Sequence, residues 1–153
     1  HVLSRRQRQM CIRDRHKAAD FKKTLEEMMQ AQKRFLGNAN TTKSYDILLL
    51  LMSMEELQHY GGMQGALEHH TSTTVVFYEG LDTESLKEYL VDVVSHEFFH
   101  TLTPLNVHSE QVHYFNYNEG VMSQHLWMYE GTTEYFCQPI SSTTKHYRRG
   151  QFL

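Results

Sequence analysis

Residues 82–104 read DTESLKEYLVDVVSHEFFHTLTP, and the periodicity of this stretch decides the fold. Asp82-Thr83-Glu84 has the composition of a helix start, where a short polar side chain accepts from otherwise orphaned backbone N–H groups. Leu86, Tyr89, Leu90, Val93 and Val94 then recur at three- and four-residue steps, as on a helix with one apolar face. Pro104 ends it. The stripe continues to His96, Glu97 and His100, which puts a polar cluster on the face the helix should bury. An unpaired carboxylate is costly there. The cluster therefore requires a partner.

His96-Glu97-Phe98-Phe99-His100 is an H-E-x-x-H match. Helical positions four apart differ by about 40° of azimuth, so both imidazoles leave one side of the helix a turn apart. That spacing lets His96 and His100 hold one zinc ion. Glu97 lies beside them and can take a proton from an activated water without being a ligand. A catalytic zinc needs a third protein ligand and an open position. The metzincin extension would need Gly at 103 and His at 106, where Thr103 and Asn106 stand. The downstream candidates are His108, Glu110, His113, Glu119, His125 and Glu130. Glu130 falls in a predicted helix, which can hold a side chain rigidly. Glu134, one turn on, could accept a hydrogen bond from a ligand imidazole and fix its tautomer.

Outward from this centre, the chain reads as one α+β unit, with helices and strands segregated along it. From Lys17, Phe21, Leu25, Met28, Met29, Gln32 and Phe35 recur with helical spacing, and Gly37-Asn38 supplies a stop. Tyr45–Met54 contains a continuous apolar run and reads as a buried strand. A Gly-bearing stretch, 60–65, follows; then Thr71–Tyr78 (TSTTVVFY) reads as a second strand. Residues 105–121 are polar, aromatic and aperiodic, hence loop. A last helix is predicted over Met122–Cys137, stopped near Pro139.

Composition narrows the function classes. The 153 residues are enough for one domain with a core. A net charge of −3 asks for neither nucleic acid nor an acidic membrane as partner. The longest apolar run, Ile47–Met52, is far short of the roughly 20 residues of a membrane span. Two cysteines, Cys11 and Cys137, exclude a disulfide scaffold and any Cys-based zinc cluster. Histidine is the outlier, at 11 residues, and directs attention to metal chemistry. Residues 1–15 hold five arginines and one aspartate, a net of +4, against −7 for the remainder. This segment resembles translated sequencing-adaptor read-through, and we expect it to be non-native or disordered; a basic arm is the other reading. Residues 16–153 are then expected to be a partial, truncated catalytic domain.

H-E-F-F-H-T at 96–101 followed by L-W-M-Y-E-G-T-T-E-Y-F at 126–136 resembles the glycyl aminopeptidase family, gluzincin metallopeptidases that often carry a PDZ domain. The intervening TPLNVHSEQVHYFNY resembles the loop of its Bacteroidetes-type members. Upstream, Gly65-Ala66-Leu67-Glu68-His69 is similar to the family's G-x-x-E-H element and to the G-x-M-E-N element of related aminopeptidases. The resemblance covers roughly residues 17–138. It implies a thermolysin-like catalytic-domain fragment and makes Glu130 the third zinc ligand. Glu68 would recognise the α-ammonium of a peptide with a free N-terminus by charge-assisted hydrogen bonds; from the residues alone it reads as an exposed loop acid. The strand 71–78 could take an extended peptide as an added strand. The implied activity is removal of N-terminal residues, with a zinc endopeptidase or an inactive zinc-stabilised binding module as alternatives. A second oxyanion donor, a tyrosine in related enzymes, has no clear counterpart; Tyr129 and Tyr135 are the candidates at hand. Relatives are often periplasmic or secreted.

Overall fold

The computed structural model describes residues 16–141, with side chains to Cys137. The expectation for residues 1–15 lies outside the described residues. The elements are α1 (Ala18–Leu36), a 3₁₀ turn (Gly37–Ala39), β1 (Asp46–Met52), α2 (Met54–His59), β2 (Gly65–His69), β3 (Ser72–Tyr78), α3 (Thr83–Phe99), α4 (Glu110–His113) and α5 (Leu126–Ser141). Helices beside a small mixed sheet make this α+β. No helix among the described residues is long and apolar enough to cross a membrane.

The sheet order is β1-β3-β2. β3 pairs parallel with β1 from Asp46↔Ser72 to Met52↔Tyr78, and antiparallel with β2 from Gly65↔Val76 to His69↔Ser72. Helix α3 is the common neighbour, touching β2, β3, α1 and α5. Its Leu86, Leu90 and Val94 close over Val75 of β3 and over Phe21 and Met28 of α1. Asp82 caps α3 by accepting from the backbone N–H groups of Glu84 and Ser85, at 3.1 and 3.0 Å. A buried polar pin joins α1 to α3: Gln32 Nε2 donates to the Ser95 carbonyl (3.1 Å) and to Ser95 Oγ. That pin sits one residue before His96. It fixes the depth of the helix where the H-E-x-x-H motif begins.

The expected loop 105–121 contains α4, and α3 stops at Phe99, short of Pro104. Four further expectations change. β1 is an edge strand, not a buried one: Ile47, Leu49 and Leu51 pack on the core, while Leu48 is 53% exposed. The helices lie against one face of the sheet, so alternate residues of an apolar run are left outside. The stretch after β1 contains α2, too short for periodicity to reveal. Ser53-x-x-Glu56 is a capping box, with Glu56 N donating to Ser53 Oγ (3.2 Å) and Ser53 N to Glu56 Oε2 (2.7 Å). Gly61 and Gly62, both with positive φ, end that helix. Gly65–His69 is a strand rather than loop. The last helix starts at Leu126 and continues through Pro139 to Ser141, the last described residue.

Leu90 is 1% exposed at the centre of the core. Leu90→Ala should cost about 2–5 kcal/mol in denaturant unfolding; a loss below about 1 kcal/mol would show that α3 is not packed as described.

Candidate metal centre

Two helices bring the site together. α3 carries His96, Glu97 and His100 (the residue that caps its C-terminus), and α5 carries Glu130 and Glu134. His96 Nε2 lies 3.1 Å from His100 Nε2 and 3.1 Å from Glu130 Oε2; His100 Nε2 lies 3.5 Å from the same oxygen. These three atoms form a potential metal-holding group. With bonds of about 2.0–2.2 Å, tetrahedral zinc ligands stand about 3.3 Å apart. The observed separations fit that figure.

Proton positions sharpen the fit. His100 Nδ1 is 2.9 Å from the Thr103 carbonyl, which can only accept, so that nitrogen carries the proton. Thr133 Oγ1 is 3.3 Å from the same nitrogen. His96 Nδ1 faces Glu134 Oε2 at 3.3 Å, and an ionised carboxylate also only accepts. Both rings therefore direct Nε2 lone pairs at each other and at Glu130. A single proton can be shared by two of these three atoms. A cation satisfies all three.

Glu97 is buried, at 8% exposure, and its environment is set by the same cluster. Burial pushes its carboxyl from 4.5 up to about 7; His100 pulls it down, and Glu68 and Glu130 push it up. A general base works best with a pKa near the operating pH. Glu68 lies on β2 and is half-buried, on the side of the strand that Ala66 shares. It lies on a strand rather than in a solvated loop, and its charge acts on Glu97 and Tyr45. Tyr45 is a neighbour that sequence reading missed. Its ring stands edge-on to Phe98 at 5.1 Å, and burial, Glu97 and Glu68 together raise its hydroxyl. Its position just before an apolar run carried no functional signal. Thr133 was missed too, although it lies one turn after Glu130 and is buried at 1% exposure.

Other candidates lie elsewhere. His108 and His113 stack on one another, with Nε2 of the first 3.1 Å from Nδ1 of the second. Among the described residues, neither they nor Glu110, Glu119 or His125 belongs to a metal-holding group. The Tyr129 hydroxyl accepts from the backbone N–H of Ser109 (2.7 Å), and Tyr129 is buried, which makes it an anchor for the loop. Tyr135 is 71% exposed and meets Phe136 edge-on. β3 cannot take a peptide strand, because both its edges are already paired. Among the described residues, the unpaired edge beside Glu68 belongs to β2.

Comparison with known families points to a peptidase. The model that matches is that of the M61 glycyl aminopeptidases, over residues 89–153, and it supports the family that the motifs resemble. His96, Glu97, His100, Glu130 and Glu134 fall inside that span, and Glu68 lies before it. No curated protein and no solved structure matches the chain.

The raised Glu97 carboxyl has a consequence for stability. A folded-state pKa above the unfolded one means the folded protein binds the extra proton between about pH 4.5 and 7. Metal-free protein therefore loses stability as pH rises through that window, and the full penalty remains above it. Glu97→Gln removes the titration. The melting temperature of the variant minus that of the parent, both metal-free, should grow from pH 4.5 to 7 and then level off. A difference that stays flat across the series would contradict the assigned burial.

Proposed function

We propose that this chain is part of the catalytic domain of a zinc aminopeptidase with a thermolysin-like arrangement. The observation that carries the reading is the convergence of three lone-pair atoms, from His96, His100 and Glu130, beside a buried Glu97. The M61 match over the same residues supports it. Zinc, when bound, would polarise the scissile carbonyl and make a water acidic enough to attack near neutral pH.

The chain's own residues divide the remaining work. Glu97 accepts the water proton and passes it to the leaving amine. Its burial keeps its basicity high enough for the first transfer. Glu134 and the Thr103 carbonyl hold the Nδ1 protons of His96 and His100, so that each ring offers Nε2 as a ligand. Glu68 accepts hydrogen bonds from the substrate's α-ammonium, and the open edge of β2 carries the backbone of an extended peptide. With the ammonium held at the wall, only the first peptide bond reaches the metal. That is how an exopeptidase counts residues.

Two measurements test this. Purified protein should hold about one zinc per chain, and His100→Ala should lower zinc affinity by 10-fold or more, the scale on which losses around a metal site are felt. Glu97→Gln should keep the zinc and abolish hydrolysis of aminoacyl-anilides. Folded protein that binds no zinc would end the metal reading. Cleavage of substrates with a blocked α-amine would replace the aminopeptidase by an endopeptidase. Zinc retained with no turnover by the full-length protein would leave a binding module.

A further inference from the structure

His96 has a second side. Its Nδ1, Glu134 Oε2 and Cys137 Sγ form another group that could hold a metal ion. Cys137 Sγ lies 3.8 Å from Glu134 Oε2, and His96 Nδ1 lies 3.3 Å from the same oxygen. For tetrahedral zinc, with about 2.3 Å to sulfur and about 2.1 Å to nitrogen or oxygen, these edges are about 3.6 and 3.4 Å. The spacing comes from α5, where Glu130, Glu134 and Cys137 follow at i, i+4 and i+7 and so share a face. Burial, with the negative charges of Glu134 and of Asp92 on α3, pushes the Cys137 thiol up to about 12, so the thiolate forms only when a cation displaces its proton. Thiolate, imidazole and carboxylate together suit a soft divalent cation better than magnesium or calcium.

We infer that Cys137, Glu134 and the Nδ1 side of His96 form a second metal position, which takes cadmium or surplus zinc and competes with the first. The competition follows from proton bookkeeping. When the cation binds, Cys137 gives its proton to solvent, and the ring proton of His96 moves from Nδ1 to Nε2. His96 then offers no lone pair toward His100 and Glu130. A neutral imidazole can serve one position or the other. Filling the second disables the first, and Glu134 turns from the group that orients His96 into a ligand of the wrong metal. The existence of the position does not depend on the peptidase reading; its inhibitory effect does.

Cadmium added alone to metal-free protein tests the position directly, through the ultraviolet thiolate-to-cadmium charge-transfer band. Wild-type protein should show the band, Cys137→Ser should lose it, and His100→Ala, which weakens only the first position, should keep it. Glu134→Gln, which keeps Cys137 and a side chain of the same size beside it but removes the carboxylate charge, should weaken cadmium binding by about 10-fold or more. Zinc added to the cadmium form should diminish the band in the wild type and do so less in His100→Ala. No band at saturating cadmium, or one that survives Cys137→Ser and vanishes with Cys11→Ser, would overturn the inference. Loss of the band in His100→Ala would also overturn it, because the donors would then form one undivided site. Zinc affinity lowered in His100→Ala and unchanged in Cys137→Ser reports on the first position alone, so failure of either reading can be told from failure of the other.

Discussion

Everything at the site depends on two imidazoles being held with their Nε2 atoms 3.1 Å apart. Two lone pairs that close repel, and neither ring would keep this position unless something fixed its far side. For His100 the fixing group is the backbone carbonyl of Thr103, in the turn that ends α3. For His96 it is the Glu134 carboxylate, on the helix opposite. One constraint is local and follows from chain geometry. The other is tertiary and holds only while α3 and α5 stay packed. The packing of these helices is thus part of the chemistry, and not merely its support.

That packing explains why α3 reaches every layer of the described structure. It needs the sheet on one side to bury Leu86, Leu90 and Val94, α1 to lock Ser95 through Gln32, and α5 to complete the cluster. The apolar residues of the helix supply the free energy of burial. The polar ones spend some of it. A buried Glu97 is tolerated because the rest of the helix is so well covered, and its elevated carboxyl is the visible cost of placing a base out of water.

How much of this could be read beforehand varied with the kind of signal. Helix α3 was legible because its period and cap agree, although it stops at Phe99, before Pro104, and the register of His96, Glu97 and His100 followed from the same phase. Glu130 and Glu134 could be nominated from helical spacing, but only coordinates bring them across to His96. β2 was not legible: five residues with Gly at one end and His at the other, Gly65–His69, carry little strand propensity, and the strand exists because β3 offers it an edge. The burial of β1 was overestimated for a similar reason. An apolar run reports what a strand could bury, and which face finds a partner is decided by the layers around it. The count of two cysteines was read as excluding a Cys-based zinc cluster, and that count says nothing of a single thiol placed beside His96 and Glu134 by helix packing.

The hydrogen bond from the Ser109 backbone to the Tyr129 hydroxyl looks like a minor staple. It ties the middle of the connection between the two ligand-bearing helices to the first turn of α5. Ser109 immediately precedes α4, ten residues beyond the end of α3, Tyr129 is adjacent to Glu130, and the aromatic, exposed residues Tyr114, Phe115 and Tyr117 lie between them. The clamp separates that excursion mechanically from the helices it joins. A strain applied to the chain between Ser109 and Tyr129 is therefore taken up at the clamp before it reaches Glu130.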